Sequence, residues 1–279
     1  MRLHRVWGDK MNLAEIMDSV SPLWGICPFA ELESELIACR AKSRLPDFPQ
    51  SVIVACFPYL LGNENYIDSN ISKYAAVPDY HAVVTARLNS ACEKLAELYP
   101  NESFAPFADN SPVPEVRAAC AAGLGVRGMN SLLITEKYGS YVFIGEIVTT
   151  LQIPCEPAKE KPCLGCGKCL EACPSGALSR SGFDKSKCLS EITQRKGELT
   201  NSEKNLMLEC GCVWGCDICQ DVCPMNKDAA VTEINEFLSS PVARISSGCE
   251  IKGRAYEWRG RKVIERNIAL FEERKENTQ

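Results

Sequence analysis

Cysteine spacing constrains this chain more than any other feature. Cys163-x2-Cys166-x2-Cys169-x3-Cys173-Pro174 reproduces a run in which three thiolates wrap one [4Fe–4S] cubane and the fourth reaches a second cluster. Gly165 and Gly167 let the backbone turn closely around the cube, and Pro174 leads the chain away. Zinc is the competing reading, since Cys-x2-Cys pairs also hold tetrahedral zinc, but zinc sites seldom take a third cysteine at the same short spacing. A second run, Cys216-x2-Cys219-x3-Cys223-Pro224, repeats the ending of the first. By the crossed logic Cys223 completes the set of Cys163, Cys166 and Cys169, while Cys173 joins Cys216 and Cys219. The second set needs one more thiolate, and spacing alone leaves Cys188, Cys210 and Cys212 open.

The seventeen cysteines of this 279-residue chain would suggest disulfides in a secreted protein. The segment 1–20 holds scattered charges without a signal-peptide core, and no stretch approaches the ~18 apolar residues of a membrane span. The expectation is a cytoplasmic protein, off the membrane, whose cysteines serve metal or redox chemistry. A net charge of −5 repels a phosphate backbone, so any nucleic-acid contact has to be local. The candidate is Lys252 to Arg266, where Lys252, Arg254, Arg259, Arg261, Lys262 and Arg266 outnumber Glu257 and Glu265, with Tyr256 and Trp258 interleaved. A solvated helix face is the plainer reading of such a run.

The six cysteines before the Cys163 run, Cys27, Cys39, Cys56, Cys92, Cys120 and Cys155, lack ligand spacing and read as buried thiols. Ser51 to Phe57, short, β-branched and bounded by Pro49 and Pro58, predicts a buried strand. Asp79 to Tyr99 predicts a helix with Asp79 as cap and Val84, Leu88, Ala91, Leu95 and Leu98 on one face. A shorter helix is predicted from Pro114 to Ala122, and a hairpin joins 132–135 to 141–144 through Glu136-Lys-Tyr-Gly139. Gly123-Leu-Gly125-Val-Arg-Gly128 satisfies G-x-G-x-x-G, but it follows a helix and precedes a strand, the reverse of a dinucleotide site. The fold class is therefore α+β: a mixed α/β domain over 1–154, a metal-organised domain over 155–230 and a helical tail over 231–279.

Several segments resemble the epoxyqueuosine reductase family. They are Asp79-Tyr80-His81, Phe107-Ala-Asp109-Asn-Ser-Pro112, Ala122-Gly-Leu-Gly125, Asn130-Ser-Leu-Leu-Ile134, Gly139-Ser140, Gly145-Glu146, the Cys163 to Ala177 run, Lys187-Cys-Leu-Ser190, and Gly215 to Gln220 through Cys223-Pro-Met-Asn226. The resemblance spans roughly residues 50 to 230. It implies a cobalamin-dependent reductase acting on an epoxide of a modified tRNA nucleoside, with 1–154 as the cobalamin and substrate domain and 155–230 as a ferredoxin-like double-cluster domain. It implies Cys188 as the remaining ligand, Asp109 as catalytic acid, and His81, Asn130 and Ser131 beside the cobalamin. It also implies a low-potential electron donor of ferredoxin or flavodoxin type. Asp-Asn-Ser-Pro is good turn chemistry too, so a capped turn is the alternative for Asp109; as proton donor, its carboxyl would need burial to hold a proton. Val126-Arg-Gly-Met129 departs from the family, which carries tryptophan first and lysine last, and the departure bears on substrate recognition. The second function class is an electron-transfer protein without cobalamin chemistry.

Overall fold

The computed structural model describes residues 12–276. Residues 1–11 of the expected amino-terminal domain and 277–279 of the expected tail lie outside the described residues. The strands are β1 (Leu23–Pro28), β2 (Ser51–Pro58), β3 (Phe104–Ala108), β4 (Val126–Arg127), β5 (Leu133–Ile134), β6 (Val142–Thr149), β7 (Leu178–Ser179) and β8 (Gly182–Phe183). The α-helices are α1 (Leu13–Val20), α2 (Lys73–Ala76), α3 (Tyr80–Leu98), α4 (Glu115–Ala121), α5 (Lys168–Ala172), α6 (Leu189–Gln194), α7 (Asn201–Cys210), α8 (Ile218–Asp221), α9 (Asn235–Leu238) and α10 (Arg261–Glu276). This mixture is the α+β class read from the sequence, and no described helix is long and apolar enough to cross a membrane.

The described chain forms two compact units, each discontinuous in sequence: one of 12–56, 84–123 and 144–158, the other of 57–83, 124–143 and 159–276. A four-stranded sheet has the order β1-β2-β6-β3. β2 is buried at every position, as its run of valine, isoleucine, cysteine and phenylalanine demands. β1 runs antiparallel to β2 with Leu23 opposite Cys56, and β3 runs antiparallel to β6 with Phe107 opposite Glu146. In α3 the predicted cap forms: Asp79 Oδ1 accepts the His81 N–H at 3.1 Å. Val84, Leu88, Ala91 and Leu95 are buried as their spacing requires.

The predicted hairpin is corrected. β5 pairs with β4, Val126 opposite Ile134, while β6 pairs with β3. The turn between β5 and β6 closes on itself: the Thr135 N–H and hydroxyl both donate to Gly139 O, at 2.8 and 3.0 Å, and Thr135 Oγ1 accepts the Tyr138 N–H at 3.1 Å. The Ser140 N–H then bonds to Asn226 Oδ1 at 2.8 Å, which turns the chain away before a second ladder can form. Gly125 belongs to the β4–β5 pairing, because a Cβ there would lie 2.4 Å from Ile134 O. The G-x-G-x-x-G run thus serves close strand approach.

The carboxy-terminal segment packs back. Ile245, Tyr256, Val263, Ile264 and Ile268 share one core with Ile71, Ala75, Val213 and Trp214. Buried Asn267 donates through Nδ2 to Thr193 O and Val213 O at 2.8 Å each, joining α10 to the segments around the second cysteine run.

Candidate metal centres

Each cysteine run is a loop, a short helix and a proline. In the first, Gly165 and Gly167 take left-handed φ of 65° and 77°, and Gly167 caps α5. That swings Cys163 and Cys166 around while Cys169 sits in the first helical turn. Cys173 ends α5 in extended conformation, and Pro174 prevents continuation. In the second run Gly215 is left-handed at φ 71°, and a Cβ there would strike the Ser72 hydroxyl at 1.9 Å. Cys219 lies in α8, which packs against α5.

That packing crosses the ligands. Cys163, Cys166, Cys169 and Cys223 line one hollow, walled also by Met129, Asn130, Ile134 and Met225. The charges facing Cys169 include Cys223 and Cys163. Cys219 faces Cys216, Cys188 and Cys173 instead, and Cys188 faces Cys216 and Cys173. Cys210 lies near Cys216 and Cys173, and Cys212 shares a hydrogen bond with Cys216. The structure therefore brings Cys163, Cys166, Cys169 and Cys223 to one hollow and Cys173, Cys188, Cys216 and Cys219 into a second neighbourhood, which Cys210 and Cys212 share.

The electrostatics suit a cationic occupant. Burial and then neighbouring thiols push the Cys219 thiol up to about 12. The Cys212 hydrogen bond and then burial push Cys216 up. Thiolates so crowded repel one another until metal neutralises them. Cys173 is the exception: burial opposes ionisation, but the Ser175 hydroxyl and the N–H groups of Leu178, Ala177 and Ser175 outweigh it and lower its pKa. Among the described residues no three His, Cys, Asp or Glu side chains converge tightly enough for a single metal ion. Four thiols around a hollow fit a cubane better than mononuclear zinc, which needs sulfurs ~2.3 Å from one atom.

Asp217 anchors the second loop. Its Oδ2 accepts the Lys73 N–H at 2.6 Å and its Oδ1 accepts from Gln220 Nε2 at 2.8 Å. Burial raises its pKa to about 6 and the Lys73 ammonium, 3.9 Å away, restrains the rise. Asn226 donates from Nδ2 to Gln220 O and Ser140 Oγ, each at 2.8 Å, holding the far end of the run.

The remaining predicted residues are dispersed. Asp109 follows β3 at φ 57°, exposed, its Oδ1 accepting the Asn110 N–H at 2.8 Å. Asp109 thus lies in an exposed bend, where its carboxylate makes a local contact of the kind Asp-Asn-Ser-Pro favours. Beneath the turn lie two acids to which the motif reading gave no role. Glu115 accepts the Asp109 N–H, and burial, followed by the Asp109 charge, raises its pKa to about 7. Glu146 is 0 % exposed. Its pKa is raised by burial and then by Glu115, against a small lowering by the Ser111 hydroxyl. A lone glutamate inside the apolar run Tyr141 to Val148 was the available signal.

His81 binds Asp79 Oδ1 through Nδ1 at 2.7 Å and stacks on Tyr80, which stacks in turn on Phe143 at 4.1 Å. Ser131 is half-buried at φ 66°, and Asn130 is buried on the wall of the first hollow. An open groove of about 470 Å³, lined by Arg127, Gly128, Glu160, Lys161 and Pro162, shares Met129, Cys163 and Gly165 with that hollow. In the basic segment Tyr256 is fully buried, so the interleaved aromatic pair reduces to Trp258, 57 % exposed with the Arg259 guanidinium 3.8 Å over its ring. Arg266 is taken up by Arg195 O and Gly197 O at 2.7 and 2.6 Å, whereas Lys252 and Lys262 are exposed.

Comparison with known proteins adds two family matches. Residues 162–226 match a 4Fe-4S double cluster binding domain, and residues 40–110 match the model described as epoxyqueuosine reductase QueG, DUF1730. An epoxyqueuosine reductase of Synechocystis sp. is 38 % identical over 243 residues, covering 76 % of this chain and 83 % of the relative. The chain spans about half the length of other curated epoxyqueuosine reductases that it matches, 53 % of one and 45 % of another. A crystal structure of selenomethionine-labelled epoxyqueuosine reductase superposes with TM-score 0.76 at 25 % identity, over 93 % of this chain and 80 % of that one. An epoxyqueuosine reductase solved with an epoxyqueuosine-modified tRNA-Tyr stem loop has TM-score 0.73 at 24 % identity, over 93 % of this chain and 79 % of that one.

Proposed function

The chain belongs to the epoxyqueuosine reductase family, and from that membership we propose that it passes electrons through two [4Fe–4S] clusters to a cobalamin that reduces epoxyqueuosine in tRNA. The observation that carries the reading is the crossed gathering of eight thiols, four from Cys163, Cys166, Cys169 and Cys223 and four from Cys173, Cys188, Cys216 and Cys219. For the fourth ligand of the second set we take Cys188, a choice supported by its place near Cys219, Cys216 and Cys173. The double-cluster domain match supports two clusters. Cobalamin, when bound, supplies a strongly reducing metal. The groove beside the first hollow, with Met129 and Cys163 in its wall, suits an electron acceptor, and Asn130 lines the adjoining hollow.

Removing an epoxide oxygen as water takes two electrons and two protons. The clusters deliver the electrons singly, and Asp109 is the proposed source of one proton. Its exposed turn leaves desolvation of the carboxyl to the bound substrate. Glu115 holds that turn through the Asp109 N–H. For tRNA, Trp258 with its stacked Arg259, flanked by Lys252 and Lys262, offers an aromatic face and cations for an unpaired base and its phosphates. A ferredoxin or flavodoxin serves as electron donor.

The test is iron and sulfide analysis, cobalamin titration and turnover on anaerobic wild type and Asp109→Ala. Wild type should hold ~8 irons and ~8 sulfides. The variant should keep iron and cobalamin while turnover falls roughly 10²–10⁴-fold. Zinc without sulfide would sink the cluster reading. Clusters without cobalamin affinity would leave an electron carrier.

A further inference from the structure

Among the residues lining the first hollow, Asn130 is the lone polar side chain that is not a thiol. It is 6 % exposed. Its Oδ1 accepts the Leu132 N–H at 3.3 Å, whereas Nδ2 is buried with no hydrogen-bond partner among the described residues. A buried amide N–H without an acceptor loses its hydration and receives nothing in return. Flipping the carboxamide does not help, since Nδ2 would then oppose the Leu132 N–H, donor against donor.

The loop is shaped to hold this arrangement. Gly128 N–H donates to Leu132 O at 2.8 Å and Ser131 N–H donates to Gly128 O at 2.9 Å. Ser131 is forced left-handed at φ 66°, a conformation an L-residue adopts at a cost. A Cβ on Gly128 would lie 2.3 Å from Asn130 Oδ1, so the side chain occupies space that only glycine leaves. Strain and a steric allowance are spent on placing one amide at the hollow's wall.

We infer that the Asn130 carboxamide N–H donates a hydrogen bond to a sulfur of the first cluster and raises that cluster's reduction potential. The inference rests on the two-cluster reading. A reduced cluster carries one more negative charge, and a hydrogen bond to its sulfur stabilises that charge, which is one of the levers that set cluster potentials. Asn130 is then a positioning and tuning residue for electron flow.

The test is anaerobic spectroelectrochemistry on iron-loaded wild type, Asn130→Leu, Asn130→Asp and Asn130→Gln, with iron and sulfide counted for each. Asn130→Leu should retain ~8 irons while the reduced-to-oxidised ratio of one cluster, at fixed poise, falls about tenfold. That fall equals about 59 mV for a one-electron couple. The other cluster should not move. Asn130→Asp keeps the acceptor for the Leu132 N–H but removes the donor and adds charge, so it should lower the same potential at least as far and covers the case in which leucine disturbs the loop. Asn130→Gln, which keeps the amide, should recover part of the shift. Unchanged potentials in the loaded variants overturn the inference, as does an equal shift of both clusters or a loss of cobalamin affinity with potentials intact. Wild type lacking iron and sulfide would overturn the cluster reading itself, a distinct result.

Discussion

Cys166, in the first set, is exposed beside Leu164, itself 67 % exposed, whereas Cys216, in the second, packs with Cys210 and Cys212 against a core of Leu189, Ile192, Leu199 and Met207. The local recipe is shared: a left-handed glycine, a short helix and a terminating proline. The surroundings differ because the second loop is clamped through Asp217 and Asn267 while the first rides on the 128–132 turn. Repeated ligand spacing therefore yields two unlike centres. An exposed corner allows electron exchange with a partner or cofactor, and an enclosed centre holds electrons away from solvent.

The sharpest way to break this comparison is to cross it. Cys173→Ser, a change in the first run, should remove or convert the second cluster and leave the first, with loss of up to ~4 of ~8 irons. Cys223→Ser should do the reverse. If each variant loses the cluster of its own run, the crossed gathering is wrong. Electron paramagnetic resonance with iron counting distinguishes the two.

A smaller change sharpens the membership of the second set. Cys188→Ser should cost one cluster, whereas Cys210→Ser and Cys212→Ser should keep both. Intact iron in the Cys188 variant with loss in the Cys212 variant would hand the fourth position to the thiol that hydrogen-bonds to Cys216.

The difference in exposure can be timed. On brief air exposure the first cluster should decay several-fold faster than the second, followed by loss of its spectral signal, since oxygen reaches Cys166 without local unfolding. Equal decay rates would erase the contrast.

The smallest effect lies in the other unit and serves as a reference free of iron. Glu115, with a folded pKa of about 7 against 4.5 unfolded, binds a proton more tightly when folded. Its contribution is present below pH 4.5 and is lost as pH rises through 7, by at most roughly 3 kcal/mol. Melting temperature should decline over that interval in wild type by a few degrees more than in Glu115→Gln. Parallel pH profiles would show that the acid pair carries no strain.

Some of this was legible in the residue order because it depends on short spacing. The β2 run, the α3 face and its Asp79 cap, and the cysteine runs with their prolines all declare themselves within a few residues, where backbone geometry alone sets which side chains meet. The crossing was read only by analogy to a known spacing. What brings Cys223 to Cys163 is the packing of α8 on α5, and the same packing sets the neighbours of Cys188.

Other features needed the tertiary fold. Strand partners are chosen by hydrogen-bond competition, so β5 left β6 for β4 once Thr135 and Asn226 had claimed the turn. Burial is a property of everything around a residue: it hid Tyr256, took the Glu146 carboxyl out of water and left Asp109 at the surface. The residue order determined which atoms can bind iron, since thiol chemistry and spacing travel with the chain. Only the tertiary structure decided which thiols share a hollow and that Asn130 lines one while its Nδ2 finds no partner among the described residues, because those facts depend on groups distant in sequence excluding water together.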